Sequence, residues 1–354
     1  MKKPFKIILI ALCAVLLVAA GYLAYVLLDY SRIEDHLALE PVSGGGQTLT
    51  SGQSITAVTY NVGFGAYLPD YSFFMDGGTE SRCKNKDSAA TTIQSAAALA
   101  LNQQPDLVLI QELDTDSTRS WHVNQLKLMD QVFSGFSRVY AENYHSSYLF
   151  YPFRQPIGAS KSGVAVYSLF PITSAERRSL PIETGFGKFL DLDRCYSISR
   201  IPVDNGKELV VVNIHMSAYT SDPAVLQSQL DMLAEDLGRE VQAGNYVICG
   251  GDFNHDLRKT DDSGESFSWS HYYPRESLPD GISFAYDHLD EQQKLEMVDS
   301  CRDACEPYDP ATAFTVMIDG FMISDNLELE SMNTVATGFS FSDHDPVRMT
   351  VRLK

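Results

Sequence analysis

The chain has 354 residues, is 44% apolar and 11% aromatic, and carries a formal charge of -19 at pH 7. This composition excludes a disordered or fibrous protein and is typical of a globular enzyme with a sizeable core. The acidic excess disfavours tight nonspecific binding to nucleic acid, because clusters of Lys and Arg hold phosphate backbones.

The first predicted element is an apolar segment, Ile7 to Leu28, with no charged residue. As a helix it is long enough to cross the ~30 Å hydrocarbon core of a bilayer. Three lysines precede it and Asp29 follows it, so the positive-inside rule leaves the amino end in the cytoplasm. Residues 1–28 are therefore predicted to be a single-pass anchor in the cell membrane, with residues 7–28 inside the bilayer and the rest of the chain outside the cytoplasm. The alternative is a cleaved signal peptide and a secreted protein, since residues 19–21 are small.

The next segment, residues 29–54, lacks apolar periodicity and contains Ser43-Gly44-Gly45-Gly46. Such a sequence predicts a flexible linker. The folded domain is then expected to occupy residues 55–354.

From Ile55 onwards, β-rich runs alternate with amphipathic stretches, which predicts a layered α/β fold. One helix is expected to be capped by Asp87, and another to open at Asp222-Pro223. Residues 255–290 show no clear period and predict a long loop, whose aromatic residues either face a substrate or fill a small core of their own. The predicted strands are Ile55 to Asn61, Asp106 to Glu112, Gly163 to Ser168, Glu208 to His215, Tyr246 to Gly251, Phe314 to Ser324 and Pro346 to Leu353.

Six cysteines are spaced unevenly along the chain. The spacing matches neither a common metal motif nor a dense disulfide framework, although export would permit one or two bridges. We expect mostly free, buried thiols.

Polar residues that suit metal binding and proton transfer stand at the ends of several predicted strands. Asn, Glu and Asp oxygens suit a hard divalent cation, and His together with Asp suits proton transfer. Each residue alone has an ordinary explanation, such as a turn, a helix cap or a core histidine. Their joint occurrence indicates a site. The residues near strand ends are Asn61, Glu112, His215, Asp252, Asn254, Asp343 and His344, and Asp319 adds a carboxylate inside a predicted strand.

The motifs around these residues follow one another in a characteristic order: Thr-Tyr-Asn, Gln-Glu, Ser-Gly-Val-Ala-Val-Tyr-Ser, Asn-Ile-His, Gly-Asp-Phe-Asn, Ile-Asp-Gly and Ser-Asp-His-Asp-Pro-Val. This series resembles the endonuclease/exonuclease/phosphatase superfamily, which includes DNase I-like nucleases, neutral sphingomyelinases and inositol-polyphosphate phosphatases. The resemblance covers about residues 55–354. It implies a four-layer α/β sandwich of two mixed β-sheets flanked by helices, with the active site at one rim.

The resemblance also implies a cofactor, Mg²⁺ or Mn²⁺. Glu112 would be its main ligand, with Asn61 and Asp343 near it. The cation would polarise a phosphoryl oxygen and neutralise charge on the leaving group.

The catalytic roles come from the same resemblance. Asp252 would deprotonate the attacking water, and Asn254 would orient water or phosphate. His215 and His344 would donate to phosphoryl oxygens, with Asp319 holding His344 in one tautomer. Which histidine is the general acid stays open.

Three further residues are weaker candidates for substrate binding. Lys161 and Ser162 precede a predicted strand and would touch phosphate, or form a plain turn. Tyr219 follows His215 closely and would line the cleft.

The sequence thus predicts a divalent-metal-dependent phosphoesterase that hydrolyses a phosphate mono- or diester outside the cytoplasm. The sequence does not distinguish three substrate classes: a lipid head group, a small organophosphate and a nucleic acid. With a nucleic acid as substrate, the chain would be an extracellular nuclease. A different class is an idle binding domain with the same fold. That class would have lost some of Glu112, Asp252, Asn254 and His344, yet all four are present.

Overall fold

A computed structural model describes residues 3–183, 193–217, 222–259 and 271–354. The helices are α1 (Lys3–Asp29), α2 (Lys86–Asn102), α3 (Gln125–Val132), α4 (Pro223–Gln242) and α5 (Glu291–Glu296). The strands are β1 (Leu37–Leu39), β2 (Ser54–Asn61), β3 (Leu107–Asp114), β4 (Ser137–Leu149), β5 (Gly158–Ser168), β6 (Ser174–Ser179), β7 (Cys195–Pro202), β8 (Glu208–His215), β9 (Tyr246–Asp252), β10 (Ile282–Phe284), β11 (Cys301–Arg302), β12 (Thr315–Val316), β13 (Asp319–Ser324), β14 (Leu327–Thr334) and β15 (Val347–Leu353).

Two mixed sheets form the centre of the fold. One has seven strands in the order β1-β6-β7-β8-β9-β13-β10, and the other has six in the order β14-β15-β2-β3-β5-β4. Each sheet contains one parallel pair, β8 with β9 and β2 with β3, and its other pairs are antiparallel.

The strand pleat explains how these sheets make four layers. In β2, Ile55 and Ala57 belong to the core between the sheets, whereas Val58 and Tyr60 pack with α2 and α3 on the other face. On the far side, α4 covers the seven-stranded sheet. Its buried leucines are Leu230, Leu233 and Leu237. Burying each such side chain stabilises the fold by roughly 1.5–3 kcal/mol. The predicted four-layer sandwich is confirmed.

The helix starts follow capping chemistry. At α4, Asp222 is the N-cap as predicted, and its side chain accepts a hydrogen bond from the Ala224 backbone N–H. At α2 the prediction was wrong by two residues, because Asn85 is the N-cap and accepts from the Ser88 N–H. Asp87 lies inside the first turn instead, where a carboxylate still interacts favourably with the helix dipole.

The single strand predicted over Phe314 to Ser324 is wrong. Its first part, β12, pairs with β11 in a separate two-stranded sheet, and its second part, β13, pairs with β9. Between them Met317 and Ile318 accept backbone hydrogen bonds from residues that follow β9. The chain therefore passes from one sheet to another within a continuous apolar stretch, which the sequence pattern does not reveal.

The long-loop prediction for residues 255–290 is only partly right. The described part includes β10, which adds an edge strand next to β13. Tyr273 and Phe284 are buried and pack against Phe253, with ring centroids 6.0 and 5.3 Å from it. These aromatic residues fill the core. Residues 260–270 lie outside the described residues.

The helix α1 has a mean hydropathy of 2.8, and it is long and apolar enough to cross a membrane. It stands near the amino end, where a signal sequence would meet the same criteria. Its side chains are almost all exposed to solvent, and Val26 is a buried exception.

Residues 29–54, here called the docked segment, differ from the flexible linker that the sequence predicted. Within it β1 pairs with β6, and the Asp35 carboxylate accepts from Arg178 at 3.1 Å and from the Ser179 N–H at 2.8 Å. Leu49 is buried in the main core. The glycine-rich composition suggested a flexible backbone. These contacts with distant residues instead hold the segment against the folded domain.

The cysteine prediction is confirmed. All six thiols are free, and Cys83, Cys195, Cys249 and Cys301 are buried.

Candidate active site

The candidate site lies where neighbouring strands of the seven-stranded sheet end. The parallel pair β8 and β9 brings His215 opposite Asp252, and antiparallel β13 brings Asp319 opposite Asp252. Gly251 has φ 150°, and a Cβ there would lie 1.9 Å from the Ile214 carbonyl oxygen. Glycine is therefore required for β9 to approach β8 just before the aspartate.

The six-stranded sheet contributes its residues from β2 and β3. Asn61 ends β2, and Glu112 lies at an irregularity of β3 with a positive φ of 54°. Bulges of this kind redirect a side chain and are frequent beside active sites. The Asn61 amide donates to Glu112 Oε1 at 3.3 Å and to Asp252 Oδ2 at 3.0 Å. This amide joins the two sheets at the site.

Two imidazoles flank Asp252. His215 Nε2 lies 3.5 Å from Asp252 Oδ2, and His344 Nε2 lies 3.8 Å from the same oxygen. The other nitrogen of His344, Nδ1, donates to Asp319 Oδ2 at 2.7 Å. Asp319 is itself held by the Ser300 hydroxyl at 2.8 Å. The tautomer and orientation of His344 are thereby set.

A cavity of about 330 Å³ opens on this cluster. Six of the predicted residues line it: Glu112, His215, Asp252, Asn254, Asp343 and His344. Asn61 and Asp319 contact these residues from behind. Asn254 has a positive φ of 50°. Its side-chain amide donates a hydrogen bond to the Met216 carbonyl at 2.9 Å and helps to hold the residue in this conformation.

The pKa values of the cluster are shifted in different directions. Burial, together with the nearby Asp319 carboxylate, raises the pKa of Asp252 to about 7. For His215, burial and the positive charges of Arg194 and His344 hold the pKa well below its ordinary value. For His344, burial opposes protonation, but the Asp319 carboxylate raises its pKa well above the ordinary value. Near pH 7 His215 is therefore neutral and His344 is an imidazolium.

The residues fit a divalent cation at Glu112 and Asp343. Burial and the negative charge of Glu112 raise the pKa of Asp343, so two carboxylates repel each other across the cavity. A cation would relieve this repulsion, and carboxylate oxygens are the ligands that Mg²⁺ and Mn²⁺ prefer. The Asn61 oxygen accepts from the Gly63 N–H at 3.0 Å and keeps a second lone pair.

Asp252, Asp319 and His344 form a second group of possible ligands, with ligand atoms within 4.8 Å of one another. The short distance between Asp319 and His344 reflects the hydrogen bond from His344 Nδ1 to Asp319 Oδ2. His344 Nδ1 is therefore already occupied.

The weaker candidates do not join the cluster. Lys161 and Ser162 lie inside β5, which begins at Gly158, so the predicted turn is wrong. Lys161 is exposed and Ser162 is buried, and neither lines the cavity among the described residues. Tyr219 lies outside the described residues.

Sequence reasoning missed several cavity-lining residues, notably Tyr67 and Arg302. Arg302 is only 1% exposed and donates to the Leu68 carbonyl at 3.2 Å and the Asp303 carbonyl at 3.1 Å. Neither Tyr67 nor Arg302 follows a predicted strand. A positive charge beside the two carboxylates is recognisable only once the two-residue strand β11 is placed.

A four-layer α/β sandwich with this Asp–His cluster at the edge of both sheets defines a hydrolase of phosphoric ester bonds. The chain belongs to the endonuclease/exonuclease/phosphatase family, whose family model matches residues 58–344. Enzymes of this family hydrolyse phosphoester bonds and depend on a divalent metal.

Solved structures share the fold. An endonuclease/exonuclease/phosphatase from Beutenbergia cavernae is 17% identical, with a TM-score of 0.58 over 85% of this chain and 72% of that one. The human Nocturnin catalytic domain with bound sulfate is 17% identical, with a TM-score of 0.55 over 89% and 98%. Humanized D. rerio TDP2 is 12% identical, with a TM-score of 0.52 over 84% and 98%. A comparison with curated proteins found no match.

Proposed function

We propose that the chain is a divalent-metal-dependent phosphoesterase that hydrolyses a phosphate mono- or diester outside the cytoplasm. The observation that carries this proposal is the position of Asp252 near two imidazoles, in a cavity that Glu112 and Asp343 also line.

Asp252 has the role of general base. Its pKa of about 7 matches the pH at which a base must both accept and release a proton. It accepts a proton from the attacking water as the water oxygen bonds to phosphorus and the ester bond breaks. Asn254, which also lines the cavity, orients the water or the phosphate through its side-chain amide.

The two histidines have different roles. His344, as an imidazolium, donates a proton towards the leaving oxygen. His215 stays neutral and donates a hydrogen bond to a phosphoryl oxygen. This assignment follows from the opposite directions of their pKa shifts, which separate an acid from a neutral donor in one site.

Glu112 and Asp343, with Asn61 beside them, would hold Mg²⁺ or Mn²⁺. When bound, the cation would supply Lewis-acid stabilisation of the phosphate charge. Arg302, which also lines the cavity, adds a positive charge near Asp343.

In the proposed arrangement residues 1–28 anchor the protein in the cell membrane, and residues 55–354 form the catalytic domain on the outer side. Support comes from the uncharged apolar helix and from the lysines that precede it.

The test uses the full chain in sealed, right-side-out membrane vesicles with an external substrate that does not cross the bilayer, bis(p-nitrophenyl) phosphate. We expect hydrolysis with Mg²⁺ or Mn²⁺ that stops on chelation and returns with metal. The monoester p-nitrophenyl phosphate and plasmid DNA, as parallel substrates, distinguish a phosphatase and a nuclease. Equal rates with and without chelator would contradict the metal dependence, and hydrolysis only after detergent would place the domain in the cytoplasm.

The role of Asp319 leads to a pH prediction. Asp319→Asn removes the charge that raises the pKa of His344, so the imidazolium is lost at lower pH. We expect the basic limb of the kcat profile to move to lower pH and kcat at pH 8 to fall about 100-fold. The control is Asp325→Asn, on the exposed turn after the same strand. An unchanged profile in Asp319→Asn would rule out this positioning role.

A further inference from the structure

The end of β4 and its connection to β5 expose a group of aromatic side chains. Tyr148, Phe150, Tyr151 and Phe153 are 41, 44, 59 and 77% exposed. Residues 148–153 are here called the aromatic tip. Four exposed aromatic residues within six positions mark an interaction surface, because a soluble surface rarely concentrates so much apolar area.

The aromatic tip touches the last two turns of α1. The rings of Tyr22 and Phe150 are 4.6 Å apart. The Tyr22 hydroxyl donates to the Tyr148 carbonyl, and the Tyr148 N–H donates to the Tyr25 hydroxyl, each at 3.1 Å. Just beyond, the hydroxyl of Ser147 donates to the carboxylate at the end of α1 at 2.7 Å. The surface is therefore continuous with the apolar helix.

The position of these contacts along α1 determines the level of the aromatic tip relative to the bilayer. A hydrocarbon core of ~30 Å takes about 20 helical residues, so a span that starts at Ile7 ends near Val26. Tyr22 and Tyr25 then lie at the outer boundary, where Tyr is enriched in membrane proteins. The aromatic tip that contacts them lies at the same level, in the head-group region.

A row of aromatic rings leads from the aromatic tip to the cavity. Tyr151 lies 5.8 Å from Phe74, Phe74 lies 5.0 Å from Phe73, and Phe73 lies 5.6 Å from Tyr67, which lines the cavity. Next to Phe74, Met75 is 52% exposed and also lines the cavity. Because Phe73 and Tyr67 are themselves buried, the exposed apolar residue at this edge of the cavity is Met75, which the buried rings connect to the aromatic tip.

From this continuity we propose that the aromatic tip and Met75 rest in the outer face of the bilayer, and that the cavity receives the phosphate ester of a membrane lipid. The inference rests on the proposed function, which it extends to a substrate class. A lipid head group at this surface would reach Asp252 without leaving the bilayer. The phosphate would lie near Glu112 and Asp343, and the acyl chains would extend past Met75 towards the aromatic tip.

The first measurement locates the surface. The full chain is reconstituted in phosphatidylcholine vesicles with and without brominated acyl chains, as Phe153→Trp and as the control Leu295→Trp, which is 82% exposed on α5. We expect brominated lipid to quench the added fluorescence at position 153 at least twofold more than at position 295. Equal quenching at the two positions would overturn the membrane contact. Absence of quenching, with loss of a dimer in the triple variant below, would assign the tip to a second copy of the chain.

The second measurement concerns the substrate. The triple variant Phe150→Ser, Tyr151→Ser, Phe153→Ser leaves the Asp–His cluster untouched. Hydrolysis is followed for phosphatidylinositol and sphingomyelin in the vesicles and for bis(p-nitrophenyl) phosphate in solution. We expect the variant to lose at least tenfold on lipid and to keep the soluble activity within twofold. Equal losses on both, or no lipid hydrolysis by a wild type active on the soluble ester, would overturn the lipid substrate. A wild type inactive on the soluble ester would instead contradict the proposed function, and the quenching result would still decide the surface.

Discussion

Replacing Asp252 by Asn is expected to lower kcat by about 10³-fold, within the range that general acid–base groups contribute. The change keeps the size of the side chain, but a carboxamide does not take a proton from water. The loss should appear mainly in kcat, because the proposed metal ligands Glu112 and Asp343 are unchanged. Steady-state kinetics on the soluble diester with saturating Mg²⁺ measures it.

A matched control is available in the same segment. Asp256 is buried, accepts a hydrogen bond from the Arg258 N–H at 2.9 Å, and does not line the cavity among the described residues. Asp256→Asn should therefore keep its activity within a few-fold. If Asp252→Asn keeps a tenth or more of the wild-type rate, Asp252 is not the general base.

The second large effect is expected for Glu112→Gln. The variant loses the carboxylate proposed as the main metal ligand, so we expect activity at fixed Mg²⁺ to fall at least about 100-fold, since even outer-shell partners of metals contribute 10–100-fold. The binding itself has a thermal readout. At a metal concentration 100 times Kd, a bound cation stabilises the native state by about 2.7 kcal/mol.

Thermal unfolding with and without Mg²⁺ therefore separates metal binding from catalysis. The wild type should show a metal-dependent rise in Tm that Glu112→Gln lacks. The control Glu142→Gln, on half-buried Glu142 of β4, should keep the rise. The same metal-dependent rise in Glu112→Gln would move the cation elsewhere, with the Asp252, Asp319 and His344 group as the next candidate.

The sequence predicted best those parts of the site that are carried by buried strands. The run from Glu208 to His215 has an apolar centre, Leu209 to Val212, between polar residues, so both of its ends were predictable. Because parallel strands end at one edge of a sheet, the ends of β8 and β9 bring His215 beside Asp252. Asn61 meets Asp252 from the other sheet, a contact that depends on how the two sheets pack.

The parts that sequence reasoning missed depend on contacts between distant residues. The strand β4 alternates between buried and half-buried residues over its first seven positions, but its sequence does not alternate between polar and apolar residues. Its pairing with β5 was therefore not apparent from the chain alone. Arg302 lies on a strand of two residues, too short for any pattern. The docked segment looked flexible because its own composition carries no signal of Arg178 on β6.

The docked segment also decides how such an enzyme would meet its substrate. A free tether of its length would let the domain sample a volume of solution above the bilayer, whereas the pairing of β1 with β6 leaves little slack between α1 and the domain. If α1 anchors the protein as proposed, encounters with a membrane substrate would be confined to two dimensions and limited by lateral diffusion. For a substrate in the same membrane, the rate would follow its mole fraction in the surface and fall on surface dilution, even when the bulk amount of substrate is unchanged.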